Sequence, residues 1–337
     1  NAVDWAIREE IDLVSMSLSF FNESFYDGSG AINEQADRLA EAGVLLVTSA
    51  GNYATEHWSG HFLDSNDDGL HEFESSESGL PIYFNSGTRR LYLSWDQYDL
   101  CGHTDLDAYV YNQAGNLVGR STGTQSADAK NCQPVERVSV QAAEAGWYFL
   151  QVELVTGDPE VRMNVLARAG EIWQGVAAGS ITDPGTHPAT LTVGAVRAND
   201  YLFNDAEYFS SRGPTMSGLA KPDIAGPDGL SSYTYGPTSF YGTSASTPAV
   251  VGALALEMSA HPGMSGRVAA DRLMASASQF RSTWEPVDME LGAGRARLPQ
   301  PTEAKSIPCG RGVTVWPIIF ITLGAWSPRR RNRTTPQ

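Results

Sequence analysis

Residues 241–252 read Tyr-Gly-Thr-Ser-Ala-Ser-Thr-Pro-Ala-Val-Val-Gly, and no other stretch restricts the fold as much. A bendable Gly242-Thr243 leads into Ser244. An apolar run follows at once: Ala249, Val250, Val251, Ala253, Leu254, Ala255, Leu256, Met258. A run apolar on every side predicts a helix inside the protein. It starts at Ser244, with Pro248 in the first turn, where a missing N–H costs little. Two readings of Ser244 follow. At the mouth of a buried helix its hydroxyl faces unpaired N–H groups and the positive end of the dipole, which suits a nucleophile that attacks a carbonyl. Serine is also a favoured N-cap on any helix.

The rest of the chain divides by pattern. Helix 1–10, strand 12–18, helix 31–42 and strand 44–49 alternate, which predicts a parallel sheet with helices on both faces. After Asn52 the pattern changes. Over 79–168 the chain reads as short alternating strands, clearest at Leu91 to Trp95, Leu106 to Tyr111, Val135 to Val140 and Trp147 to Leu154, with a hairpin turn at Asn112 to Asn116. About 90 residues with no helical period predict an all-β sandwich. The helix–strand pattern resumes with a strand ending at Val196, a strand at 222–226, the helix after Ser244 and a helix at 265–277. The expected fold class is therefore α/β with a parallel sheet in three layers, interrupted by an all-β sandwich. The expected divisions are 1–58, an acidic linker 59–78, the sandwich 79–170, the resumed α/β part 171–298, and a tail 299–337.

Three blocks carry a family resemblance: Val44-Leu-Leu-Val-Thr-Ser-Ala-Gly-Asn52, Tyr208-Phe-Ser-Ser-Arg-Gly-Pro214, and Gly242-Thr-Ser-x-x-x-Pro248. Together, in this order, they resemble the subtilisin-like serine peptidases (subtilases), over 1–58 and 174–298. Gly292-Ala-Gly-Arg295 resembles the close of that domain. The resemblance implies that Ser244 is the nucleophile of an endopeptidase acting on proteins or peptides through an acyl-enzyme. It implies that Asn52 donates its side-chain amide to the oxyanion beside the Ser244 N–H. Ser17, Leu18 and Ser19 then form the edge that pairs with substrate backbone. Ser49, Ala50 and Gly51 form one wall of the specificity pocket, and Gly242 and Thr243 complete the binding site. Read without the resemblance, Asn52 is a turn residue and the other stretches are strand ends. The strands of 79–170 resemble jelly-roll or prepeptidase-type sandwiches attached to secreted peptidases, Asp105 to Tyr111 most of all.

A subtilase also needs a histidine base and an aspartate that orients it. In the family both precede the strand equivalent to 12–18. The six histidines here, His57, His61, His71, His103, His187 and His261, all lack the following Gly-Thr. The expectation is that this sequence is the C-terminal part of a longer protein and is inactive alone. The alternatives are a non-catalytic subtilase-like surface or binding protein, and a sedolisin-like serine-carboxyl peptidase, whose Gly-Thr-Ser motif is similar.

The formal charge of −16 would be repelled by phosphate backbones, so no nucleic-acid partner is expected. Asp64, Asn66, Asp68 and then Gly69 have the spacing of the front half of a calcium loop. The closing glutamate is absent, since Ser75 holds its place. A looser calcium turn and a solvated acidic linker both fit, and the chemistry itself needs no cofactor. If the protein is exported, as the resemblance implies, a Cys101–Cys132 disulfide is plausible. Val313 to Trp326, followed by Arg329, Arg330, Arg331 and Arg333, fits a short anchor or a sorting tail of a bacterial envelope protein. It also fits a last strand packed on the core. Secretion or the bacterial cell envelope is the expected location.

Overall fold

The computed structural model describes residues 2–73, 79–100, 102–128, 132–279 and 288–299. The tail expected at 299–337 thus lies almost wholly outside the described residues, as do Cys101 and Cys309. Cys132 is disulfide-bonded.

The first strands and helices are α1 (Ala2–Arg8), β1 (Leu13–Met16), α2 (Gly30–Glu41) and β2 (Leu45–Ser49). After a long β segment come β12 (Leu191–Arg197), β13 (Ile224–Asp228), α3 (Thr243–Ala260) and α4 (Gly266–Ala275). The four strands make one parallel sheet in the order β1-β2-β12-β13. Every residue of β2 is buried, because it is covered on both sides. Its Leu45 and Val47 pack with Val250, Val251 and Leu254 of α3 and with Ala270 and Leu273 of α4. Val44 and Leu46 point the other way, against Ala6 of α1 and Ala36 and Leu39 of α2. This period of two on a doubly covered strand builds helix, sheet and helix layers.

Between β2 and β12 lie β3 (His57–His61), β4 (Leu80–Phe84), β5 (Gly87–Trp95), β6 (Asp105–Asn112), β7 (Leu117–Ser121), β8 (Val135–Ala142), β9 (Gly146–Thr156), β10 (Arg162–Arg168) and β11 (Gly170–Ile172). They form two antiparallel sheets, β3-β10-β5-β8 and β11-β4-β9-β6-β7. Alternate residues from both sheets meet in a single core, with Leu80, Ile82, Leu93, Trp95, Leu106, Val138, Leu150 and Val165 among its members. β3 straddles residue 58 and pairs with β10 from His57↔Leu166 to His61↔Arg162. The strip after Asn52 therefore contributes to these sheets before the acidic stretch begins.

Boundaries differ from the expectations by a few residues, as element ends do. The strand expected at 222–226 is Ile224–Asp228, because Lys221 is spent on a buried ion pair with Asp223 at 2.6 Å and on the Thr190 carbonyl. A hairpin that the sequence reading did not foresee, β14 (Leu230–Ser232) with β15 (Gly236–Phe240), precedes α3.

Candidate active site

Pro248 is the sixth residue of α3, not a member of its first turn, and Ser244 is the second. The N-cap is Gly242, with φ 98°, so the N-cap reading of Ser244 does not hold. Gly242 is required there twice. Its φ is left-handed, and a Cβ would meet Asn52 Nδ2 at 2.9 Å. Pro248 has no N–H to give the carbonyl four residues back, which belongs to Ser244. That carbonyl accepts instead from Ser17 Oγ at 3.3 Å. The proline thus leaves the Ser244 carbonyl free to hold Ser17, at the start of the Ser17-Leu18-Ser19 stretch.

Asn52 reaches the same helix end. Its Oδ1 accepts from Thr243 N and from Thr243 Oγ1, both at 2.9 Å. This orients the side-chain amide, with Nδ2 on the Gly242 side. The preceding Gly51 has φ 107° and donates its N–H to Thr243 Oγ1 at 3.2 Å. A side chain at 51 would meet the Tyr53 ring at 2.7 Å and Ser211 Oγ at 2.9 Å. Ser211 Oγ accepts the Tyr53 N–H, and the Gly51 carbonyl accepts the Ser211 N–H. The three blocks read from the sequence, 44–52, 208–214 and 242–248, therefore meet at one place through direct hydrogen bonds. Ser49 ends β2, and the Ala50 N–H donates to Val193 of β12.

The edge at Ser17–Ser19 continues into Phe20, which pairs antiparallel with Asp183. Asp183 was not foreseen as a site residue. Its buried carboxylate accepts from Ser24 Oγ at 2.6 Å and Asn33 Nδ2 at 2.9 Å, and it bonds Thr186 Oγ1. Burial pushes this carboxyl above its ordinary range, and those three donors pull it back. It anchors the segment bridged to Phe20, a contact between residues too far apart in sequence to form a motif.

The histidines with resolved partners bond elsewhere. His57 is buried against Asn164 Nδ2 and the Val176 carbonyl, and burial lowers it to about 4. His71 sits among Trp58, Phe62 and Phe73, and burial lowers it to about 4 as well. His187 Nε2 lies 3.0 Å from Asp37, and His261 is the C-cap of α3. None of these contacts involves Ser244.

In the acidic loop, Asp64 accepts the N–H groups of Asp68 and Gly69. Asn66 accepts from Asp68, and Asp68 accepts from Leu70. The loop is thus closed by its own backbone donors. Each oxygen keeps a second lone pair, so these bonds do not use up the set. Among the described residues no group of three or more His, Cys, Asp or Glu is placed to hold a metal.

Known proteins resemble this chain in both sequence and fold. Subtilisin E of Bacillus subtilis (strain 168) is 34% identical over 120 residues, which is 36% of this chain and 30% of that protein. Subtilisin of Bacillus pumilus is 33% identical over 120 residues, 36% of this chain and 41% of that protein. The matched stretch thus spans well under half of these relatives. The CspB protease of Clostridium perfringens superposes with a TM-score of 0.61 at 18% identity, covering 88% of this chain and 67% of that one, a likeness of fold. The Subtilase family model matches residues 83–297, more than half of the sequence. With the Gly-Thr-Ser, Ser-Ala-Gly-Asn and Ser-Arg-Gly-Pro blocks converging at one helix mouth, the chain belongs to the subtilase family.

Proposed function

We propose that this chain carries the nucleophile and oxyanion half of a serine endopeptidase. Ser244 attacks the substrate carbonyl and forms the acyl-enzyme. Asn52 Nδ2 and the Ser244 N–H take the oxyanion. Ser17-Leu18-Ser19 pairs with substrate backbone, and Ser49-Ala50-Gly51 with Gly242-Thr243 shapes the pocket. The observation that carries this reading is the double hydrogen bond from Thr243 to Asn52 Oδ1. The same bonds satisfy an orphan N–H at the start of α3 and fix the amide plane, and with it the direction in which Nδ2 can donate. The substrates are proteins or peptides. The reading requires a histidine and an aspartate from outside this sequence. The residues of this chain alone should turn over peptides slower by a factor of about 10⁴ to 10⁶. Ser244→Ala in the full-length protein should abolish hydrolysis and leave the fold intact by circular dichroism. Unchanged activity would remove Ser244 from the mechanism.

A sedolisin-like mechanism is disfavoured by Asn52, because that family places an aspartate at the oxyanion position. Residues 79–170 are read as an inserted sandwich beside the cleft. The tail is read as an anchoring or sorting segment, and the protein as secreted or held in the bacterial envelope. Calcium at Asp64, Asn66 and Asp68 would fix the loop between the two parts. Added calcium should then raise the melting temperature, and Asp64→Ala with Asp68→Ala should erase the rise. No shift at millimolar calcium returns the loop to a solvated linker.

A further inference from the structure

A pair of carboxyl groups lies behind the nucleophile turn, and the chemistry proposed above does not use it. Asp228 ends β13 and is fully buried. Its Oδ2 accepts the Gly242 N–H at 2.9 Å. Gly242 is the N-cap of α3, so this bond holds the residue from which Thr243 and Ser244 project. The other oxygen, Oδ1, is buried with no donor. A buried acceptor left this way is costly. Facing Asp228 is the nearly buried carboxyl of Glu207, within hydrogen-bonding reach. Glu207 Oε1 is held by Arg197 Nε at 2.6 Å, and the Arg197 guanidinium lies 5.1 Å above the Tyr241 ring. Two carboxyl groups in contact cannot both ionise cheaply. One proton resolves both difficulties. Carried on Asp228 it removes the buried charge, and shared with Glu207 it replaces the repulsion with a hydrogen bond.

We propose that Asp228 is a positioning residue for Ser244: it shares one proton with Glu207 and holds the Gly242 N–H, so the state of the pair sets the turn that presents the nucleophile. The proposal rests on the reading of Ser244 given above. Burial raises the Asp228 carboxyl to about 6, the Gly242 N–H opposes that rise, Glu207 adds to it and Arg197 reduces it. The charged or titratable groups that face the pair are Arg197 from β12, Glu207 from the strip bridged to β12, and Tyr241 from the end of the hairpin. Losing the proton leaves two negative charges against one guanidinium, directly behind Gly242.

The test uses the full-length protein, labelled with ¹³C-carbonyl tyrosine and ¹⁵N-glycine. Only Gly236 and Gly242 follow tyrosine in this sequence, so the selected spectrum from this region is simple. The Gly242 amide should titrate near pH 6, the Asp228 value. Glu207→Gln should move the midpoint down, and Asp228→Asn should abolish it. The kcat–pH profile should inflect at the same pH. Asp228→Ala should lower kcat by about tenfold to a hundredfold with little change in KM. Asp228→Asn should restore most of the loss, since its carbonyl still accepts from Gly242 and its amide donates to Glu207. A Gly242 amide that is flat between about pH 4 and 8 overturns the proposal. So does a titration that survives Asp228→Asn, or one that kcat ignores. Full activity in Ser244→Ala would instead remove the nucleophile reading and leave the amide titration standing, so the two failures are told apart.

Discussion

Asn52 and Thr243 lie 191 residues apart and meet at a single carbonyl oxygen. Asn52→Ala removes the proposed oxyanion donor and also strands the Thr243 N–H and hydroxyl. We expect kcat to fall by about 10² to 10³ in the full-length enzyme, with stability lower by about 1–3 kcal/mol. Turnover and chemical denaturation measure the two separately, and a silent kcat would exclude Asn52 from the oxyanion site. That the blocks holding Ser244 and Asn52 meet was legible in the sequence, because each residue sits in a short motif that is read whole. Asp228 was not. In Gly-Pro-Asp-Gly it reads as turn chemistry, and its role depends on Gly242, 14 residues on, and on Glu207 from another strip. Asp183 was hidden for the same reason, since Ser24 and Asn33 reach it from 159 and 150 residues away.

Among the elements, α3 was read correctly as a helix but not as one buried on every side, since Leu256 is exposed while Glu257 is buried, and the part played by Pro248 was missed. A proline inside a helix costs about 3 kcal/mol relative to alanine, and here its effect is to release the Ser244 carbonyl to Ser17. Pro248→Ala should restore the N–H to that carbonyl and raise the melting temperature. It should also lower kcat if Ser17 starts the proposed substrate edge, because the helical bond competes with Ser17 for the Ser244 carbonyl. A variant that gains stability and keeps full turnover would show that the Ser17 contact is incidental. β2 was easy to read because the run Val44 to Val47 is apolar on both faces. β3, His57-Trp-Ser-Gly-His61, was not, because its pattern is mixed and its stability comes from pairing with β10. The β14–β15 hairpin was missed for a related reason. Its serines and tyrosines pack little, and Tyr233 is wholly exposed. A fragment of 79–170 omits β3 and cuts β11. We expect a fragment of 55–175 to unfold at a higher temperature than 79–170, read by circular dichroism. Equal melting temperatures would mean that β3 contributes nothing to the sheet pair.

At the scale of the whole molecule, the parallel sheet and the paired antiparallel sheets are joined by buried groups. Glu56 and His57 sit side by side at this junction and are shifted in opposite directions by the same burial, to about 7 and about 4. Glu56 therefore opposes folding as pH rises from its unfolded value of 4.5 through about 7. His57, depressed below 6.5, opposes it as pH falls toward about 4. Glu56→Gln should raise stability by roughly 1–3 kcal/mol at alkaline pH and leave it unchanged near pH 4. A gain equal at both pH values would place the effect outside ionisation. The junction also includes the loop after the substrate edge. Phe21 stacks on Tyr92 of β5 at 4.8 Å and meets Tyr53 edge-on at 5.4 Å, with Arg168 of β10 over both rings. Asn22, at φ 57°, donates to the carbonyls of Leu93 and Glu136 in β5 and β8. Anyone who seeks to graft a different accessory unit onto this scaffold inherits that arrangement. The replacement would have to present two carbonyls and a flat aromatic surface at the same places, or the loop at Phe21 and Asn22 would lose its backing. The sheet pair is therefore not an interchangeable attachment: the Tyr92 ring of β5 and the backbone of β5 and β8 are tied to the loop at Phe21 and Asn22.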